Sequence, residues 1–212
     1  MFKDRMEAGM ALTEKLKKYK KEEGLVLAVP RGGVPIAYVV AKELGFPLDI
    51  VLTKKIGHPA NKEYAIGAVS MTDSYIIPHE NVSDKYVEAQ TLYIRQRLKE
   101  MYSKFMGDKA PEPMEGKTVI VIDDGIATGN TLMATVQMLR RSNPAKIVIA
   151  VPVASSDSIR KLSPVVDELI CLLVPELFFG VGAFYEDFTQ VSDQQVMDYL
   201  DKLRQERDKR RA

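Results

Sequence analysis

The chain has 212 residues, 46% of them hydrophobic and 28% charged, which is the composition of a globular protein that can bury a sizeable core. Its 30 Lys and Arg residues against 29 Asp and Glu residues give a formal net charge of +1, which excludes a global field that would draw the protein to nucleic acid or to an anionic membrane. Any anion site must therefore be local.

The cysteine content and the N-terminal residues indicate the compartment. Cys171, the only cysteine, cannot form an internal disulfide, and its place in the apolar run ELICLLVP favours a buried structural thiol over a nucleophile. The chain is charged from Lys3 onward without an apolar signal core, and no apolar run approaches the roughly 18 residues of a membrane-spanning helix. We therefore expect a soluble cytoplasmic protein that does not insert into a membrane.

Short runs of Val, Ile and Leu alternate along the chain with longer stretches of helical period, a pattern that predicts an α/β fold. The predicted strands, in chain order, are residues 25–29, 48–53, 65–70, 75–78, 118–122, 146–153 and 168–174. Five helices are predicted. The first is an amphipathic N-terminal helix that ends near Gly24, the second covers residues 34–44 and ends at Gly45, and the third is a long helix capped by Ser83. The fourth covers about residues 131–141, and the last begins with the capping-box pattern Ser192 to Gln195. Residues 54–72 have no helical period, and we expect a long mobile loop there that runs into the short strands.

The segment TVIVIDDGIATGNT, residues 118–131, carries the clearest chemical signal. An apolar strand brings the chain to the carboxyl edge of the sheet, where α/β folds bind ligands, and the residues from Thr128 to Thr131 lead straight into a helix. Free N–H groups at the helix start and the two Thr hydroxyls can surround a phosphate. Asp123 and Asp124 stand just before, and carboxylates accept hydrogen bonds from hydroxyls, so a ribose 5-phosphate fits both parts. The alternative is that the two acids only cap the turn.

This string resembles the ribose-phosphate-binding signature of the type I phosphoribosyltransferases, which use 5-phosphoribosyl-1-pyrophosphate (PRPP) with Mg²⁺. The resemblance implies one domain over residues 1–212, with a central, mostly parallel sheet flanked by helices. It implies that Asp123 and Asp124 hold the ribose hydroxyls. It also implies that the 5-phosphate is bound by five residues, Ala127, Thr128, Gly129, Asn130 and Thr131.

Two further segments agree with the resemblance. VPRGGV, residues 29–34, is similar to the family's pyrophosphate loop, in which Arg31 and the backbone of Gly32 and Gly33 face the pyrophosphate; an ordinary strand-to-helix turn would also explain the glycines. TKKIGHPANKEYAIGA lies where the family has a flexible catalytic lid, about residues 54–72 here. Four side chains of this segment are cationic or titratable and could bind pyrophosphate: Lys54, Lys55, His58 and Lys62.

The aromatic segment PELFFGVGAFYEDF lies where these enzymes carry a small C-terminal hood over the base, about residues 174–190. The resemblance implies that Phe178 or Phe179 stacks on the base, that Val181 offers backbone groups, and that Asp187 approaches magnesium. The alternative for each ring is a place in the core or in a dimer interface.

One residue departs from the pattern of the 6-oxopurine enzymes. They have an Asp just before the Thr-Gly pair, where it meets the purine N7, and this chain has Ala127. The ATG form is more similar to the adenine and uracil branches, so the acceptor base stays open.

The sequence thus predicts an Mg²⁺-dependent phosphoribosyltransferase that transfers ribose 5-phosphate from PRPP to a nitrogenous base or related nitrogen nucleophile. Nucleic acid and membrane partners are not expected. A homodimer is implied by the family. The alternative is a non-catalytic PRPP sensor of the same fold that binds RNA, DNA or a protein.

Overall fold

Two β-sheets organise the chain in the computed structural model, which describes residues 1–79 and 81–211. The strands are β1 Gly24–Ala28, β2 Leu48–Ile50, β3 Lys54–His58, β4 Asn61–Val69, β5 Ser74–Ile76, β6 Thr118–Ile122, β7 Lys146–Val153 and β8 Glu168–Leu173. Within the described residues, the larger sheet has the order β2-β1-β6-β7-β8 with every neighbouring pair parallel. The smaller sheet, β3-β4-β5, is antiparallel.

Six helices in the described part of the chain cover the parallel sheet. They are α1 Arg5–Leu16, α2 Gly33–Leu44, α3 Asp84–Met106, α4 Asn130–Arg140, α5 Ser156–Leu162 and α6 Asp193–Arg211. The predicted end signals are confirmed: Gly45 is left-handed, with φ +77°, after α2, and the Ser83 hydroxyl accepts from the Tyr86 N–H at the start of α3. The capping box is also present, because the Ser192 N–H donates to the Gln195 side chain and the Gln195 N–H donates to the Ser192 hydroxyl.

The parallel sheet is buried on both faces, which explains the continuous apolar runs of its strands. Alternate residues of β1, β6 and β7 point to opposite faces, and a separate apolar core lies on each. One core contains buried residues of α1, α2, α3 and α6, and the other contains those of α4 and α5. The prediction of an α/β fold with a central, mostly parallel sheet flanked by helices is confirmed. No helix of the residues described is long and apolar enough to cross a bilayer.

Three expectations about local structure were wrong. The first helix ends at Leu16 rather than near Gly24, because the chain turns at residues 17–19 to bury the ring of Tyr19, and Gly24 is the first residue of β1. Helix α5 was not predicted at all. The expected irregular loop over residues 54–64 is instead the hairpin of β3 and β4, with register shifts on both sides of Gly57.

Candidate active site

The candidate site lies where β1 and β6 end side by side. The two strands are parallel neighbours, and their last residues, Ala28 and Ile122, are register partners. The Val29 N–H donates to the Ile122 carbonyl at 2.8 Å, so the loop after β1 begins against the loop after β6. A Cβ on Gly33 would lie 2.5 Å from that same carbonyl oxygen, so only glycine permits this approach. The predicted pyrophosphate loop and the predicted ribose acids are thus brought together.

The predicted phosphate loop leads into α4 as expected. Gly129 has φ +72° and forms the N-terminal cap of α4 without a side-chain hydrogen bond. Around this helix end, Thr128 and Thr131 are exposed. Because the first N–H groups of a helix have no partner within the helix and lie at the positive end of its dipole, this turn can bind an anion.

Helix α5 and its N-terminal cap contact the predicted phosphate loop. The Ser155 hydroxyl donates to the Ala127 carbonyl at 2.6 Å and also accepts from the Ser158 N–H as the cap of α5. The Lys161 ammonium lies 3.5 Å from the Thr128 carbonyl. Sequence reasoning missed this support, because it missed α5.

The two predicted ribose acids have different surroundings. Asp123 accepts from the Asp124 N–H at 2.8 Å. Burial of its carboxyl group, and then the charge of Asp124, raise the pKa of Asp123 well above its ordinary value. Asp124 instead forms a partly buried ion pair with Arg5, whose Nε and Nη2 donate to Oδ2 at 3.0 and 2.8 Å. The two acids therefore differ, because Arg5 forms an ion pair with Asp124, whereas burial dominates the surroundings of Asp123.

The pyrophosphate loop places Arg31 near two charged residues that the sequence did not single out. Arg31 Nη1 lies 3.5 Å from the carboxylate of Asp193, at the start of α6, and Lys104 Nζ lies 2.6 Å from its other oxygen. The Pro30–Arg31 peptide is cis. Two cations on one carboxylate form a local positive cluster beside the loop, although the net charge of the chain is close to zero.

The predicted lid residues lie on the β3–β4 hairpin. Lys54 and Lys55 are exposed at its start, directly after the edge strand β2. Lys62 is turned towards α3, where its ammonium donates to the Tyr86 hydroxyl at 2.6 Å, and that hydroxyl donates to the Gly57 carbonyl at 2.8 Å. The hairpin is therefore tied to α3, and its mobility stays a prediction.

The predicted hood residues are split between the interior and the surface. Phe178 stacks on Phe184 with ring centroids 5.8 Å apart, whereas Phe179 is 83% exposed. Val181 packs on the residue after the acids, since a Cβ on Gly125 would lie 2.5 Å from it. The Tyr185 hydroxyl donates to the Asp124 carbonyl at 2.7 Å, and burial raises the pKa of this phenol, which keeps it a donor.

Asp187, the predicted metal residue, is engaged within its own turn. Its carboxylate accepts from the hydroxyl and the N–H of Thr189, at 2.6 and 2.9 Å, and these bonds lower its pKa. Across residues 1–79 and 81–211, no group of three or more His, Cys, Asp and Glu side chains is placed to hold a metal ion. This donor set fits Mg²⁺ only in its usual mode, in which substrate phosphates and water supply most ligands. The metal role of Asp187 stays a prediction.

Cys171 lies in β8, away from this chemistry. Burial raises the pKa of its thiol, which donates to the Leu173 carbonyl. The interpretation as a structural thiol agrees with these surroundings.

In this parallel sheet, the neighbouring strands β1 and β6 end in a glycine loop and an acid pair. A helix start that can bind an anion lies beside them. This is the arrangement of a phosphoribosyl transferase domain. The family model described as the phosphoribosyl transferase domain matches residues 3–188, and the chain belongs to this family. The resemblance seen in the sequence is confirmed at the level of the family.

The relatives agree with this assignment. Two Mycobacterium tuberculosis proteins, of strains H37Rv and CDC 1551, carry the provisional name of phosphoribosyl transferase and are 35% identical over 207 residues, or 95% of this chain. The chain spans about half the length of these relatives, 47%. The crystal structure of TT1426 from Thermus thermophilus is 35% identical, with a TM-score of 0.87 over 96% of this chain and 99% of that one.

Proposed function

We propose that this chain is an Mg²⁺-dependent phosphoribosyltransferase that transfers the ribose 5-phosphate group of PRPP to a nitrogenous base or related nitrogen nucleophile and releases pyrophosphate. The observation that carries the proposal is the register of β1 with β6, which sets the acid pair between a glycine loop and an anion-binding helix start. PRPP has a ribose between a 5-phosphate and a 1-pyrophosphate, so its parts match the order of these elements.

Each part of the site has a separate role. The turn from Ala127 to Thr131 binds the 5-phosphate, and the acid pair holds the ribose hydroxyls. Arg31 and the backbone of Gly32 and Gly33 face the pyrophosphate. Magnesium, when bound with PRPP, would neutralise charge on its phosphates.

The reaction breaks the bond from C1 of ribose to the pyrophosphate oxygen and forms a bond from C1 to the acceptor nitrogen. Positive charge builds on the ribose ring as the leaving group departs, and the carboxylates of Asp123 and Asp124 stabilise it. The leaving oxygen carries the negative charge, which Arg31, Lys54 and Lys55 offset. The acceptor nitrogen loses its proton to solvent or to a basic group. No covalent nucleophile is required.

Water must be kept from the charged ribose ring, because water would otherwise take the place of the acceptor. The β3–β4 hairpin is the proposed lid, and residues 174–190 are the proposed hood, in one domain over residues 1–212. Phe179, exposed on the hood, is available to stack on a base, whereas its neighbour Phe178 stacks on Phe184. We further propose a cytoplasmic homodimer, with Asp187 near the metal.

A pyrophosphate-release assay with PRPP, Mg²⁺ and a panel of free bases tests the proposal. Release should depend on both Mg²⁺ and one class of base. The double variant Asp123→Asn, Asp124→Asn should weaken PRPP binding in calorimetry by roughly 1.5 to 3 kcal/mol for each charged hydrogen bond lost. Unchanged binding would remove the acids from the site. Tight PRPP binding without turnover of any base would favour the non-catalytic sensor.

A further inference from the structure

Arg5 contacts the acid pair through a charged side chain, although it lies far from the pair in the sequence. Two of its N–H groups donate to a single oxygen of Asp124, and the side chains are only 10% and 16% exposed. A charged hydrogen bond with so little solvent around it is stronger than a surface ion pair. The contact therefore fixes the orientation of the Asp124 carboxylate.

The other side of the Arg5 guanidinium is held by the hood. Its Nη1 donates to the Thr189 carbonyl at 2.9 Å, and its central carbon lies 4.0 Å from the centre of the Phe188 ring. The backbone beside it is bound to the same segment: Phe2 and Lys3 form hydrogen bonds of 2.8 to 2.9 Å with residues 184–187. Arg5 thus contacts the hood and the ribose acid at the same time.

The Asp124 oxygen that Arg5 binds is not available to a ligand. A Cβ on Gly32 would overlap with Oδ2 of Asp124, so this oxygen is enclosed by the pyrophosphate loop on one side and by Arg5 on the other. Arg5 does not bind Oδ1, and a Cβ on Gly32 would lie 3.1 Å from it, so Oδ1 is the less enclosed of the two oxygens. The direction in which it faces is set by the two contacts of its partner oxygen.

We infer that Arg5 is a positioning residue, which holds Oδ2 of Asp124 so that Oδ1 is aimed at the ribose, and which links the ribose site to the hood. The inference rests on the proposed function, because it assigns the ribose to Asp124. It predicts a selective defect. Loss of Arg5 should weaken ligands that contain ribose and should spare inorganic pyrophosphate, which Arg31 and the glycine loop bind.

The variants Arg5→Gln and Arg5→Lys test this inference, with Arg140→Gln as the matched control. Arg140 also joins a carboxylate, Asp167 at 2.7 Å, and a backbone carbonyl, that of Val165 at 3.3 Å, but at the far end of α4. Calorimetry with Mg²⁺ would measure the Kd of PRPP, ribose 5-phosphate and pyrophosphate for each variant.

We expect Arg5→Gln to weaken PRPP and ribose 5-phosphate about ten- to a hundredfold, as for a lost charged hydrogen bond, and to leave pyrophosphate within about twofold. Arg5→Lys should recover part of the loss, because it keeps the charge but not the forked geometry. Arg140→Gln should bind all three ligands as the unmodified protein does. Equal weakening of all three ligands by Arg5→Gln, or no weakening, would overturn the inference.

A measurement without ligand separates this inference from the proposed function. If the unmodified protein binds none of the three ligands, the proposed function falls, and the carbon-13 resonance of the Asp124 carboxyl decides the role of Arg5. A resonance displaced in Arg5→Gln but not in Arg140→Gln retains Arg5 as the residue that positions Asp124. An unchanged resonance overturns that role as well.

Discussion

Gly32 and Asp124 are in direct contact: a Cβ on Gly32 would overlap with the carboxylate of Asp124. The glycine loop after β1 can therefore approach Asp124 only because residue 32 has no side chain. Gly32 is not in a left-handed conformation, so this close approach, and not the backbone angle, requires glycine.

The first prediction follows from this contact. Gly32→Ala should displace Asp124, cost about 1 to 3 kcal/mol of stability through overpacking, and weaken PRPP binding more than about tenfold. Thermal melting and calorimetry measure the two effects. Gly9→Ala on α1, where the added Cβ would lie 3.1 Å from Val39, is the control and should leave binding unchanged. Full affinity in Gly32→Ala would show that the contact does not matter.

The second prediction concerns pH and stability. The pKa of the Asp123 carboxyl group is raised in the folded protein. This group therefore contributes its full stabilisation when the pH is below the pKa that it has in the unfolded chain. The stabilisation is lost as the pH rises through the pKa that it has in the folded protein. Asp123→Asn removes this loss, so the variant should be more stable at neutral pH than the unmodified protein and its stability should depend less on pH. Melting curves from about pH 4 to pH 7 check this.

The exposed Asp157 of α5 offers the control for that experiment. Asp157→Asn should keep the pH dependence of the unmodified protein. A variant Asp123→Asn that melts at a lower temperature at neutral pH would contradict the prediction.

The third prediction concerns the support beneath the phosphate loop. Ser155→Ala removes both the cap of α5 and the bond to the Ala127 carbonyl, and Ser83→Ala removes only the cap of α3. Each should cost about 0.5 to 2 kcal/mol of stability. Only Ser155→Ala should also weaken binding of ribose 5-phosphate. The assignment of the loop would be in doubt if both variants bound this ligand equally well.

The fourth prediction concerns the hairpin. Tyr86→Phe removes the hydroxyl that joins Lys62 and Gly57 to α3, so limited proteolysis near Pro59 should become faster. Tyr93→Phe, on the exposed face of the same helix, should be cut at the unmodified rate. PRPP with Mg²⁺ should suppress cleavage within residues 54–64. Cleavage that is insensitive to ligand would argue against a lid.

The fifth prediction separates acceptor bases. Ala127 cannot transfer a proton at purine N7, and positioned acid–base groups are worth about 10²- to 10⁴-fold in rate, so hypoxanthine and guanine should be poor acceptors. Adenine or a pyrimidine should have higher kcat/KM. Ala127→Asp should improve the 6-oxopurines, and Ala127→Asn is the control of the same size. Efficient use of hypoxanthine by the unmodified protein would refute the argument.

Elements with a strong local signal were predictable from the sequence. Strands β6 and β7 have the predicted bounds, because after its first residue each is a continuous apolar run buried on both faces. The acid pair and the turn to Thr131 lie within one short segment, so a single strand end positions them.

Features that depend on distant contacts were not predictable. Arg5 and Asp124 are 119 residues apart, and nothing near Arg5 in the sequence distinguishes it from another surface arginine. Strand β3 begins with two lysines and contains a register shift at Gly57, so it lacks the alternation that marks a strand. The seven residues of α5 are too few to show a helical period.

The pairing of β1 with β6 also has a consequence for folding kinetics. Gly24 pairs with Thr118, and everything from α2 to α3 lies between them in the chain. Closing so long a loop costs chain entropy before the new contacts repay it, so strands of this kind pair slowly. The glycine loop and the acid pair meet only when that pairing forms. A nascent chain that has not yet emerged past β6 therefore has the glycine loop without the acid pair, so on the proposed function PRPP should not stabilise it.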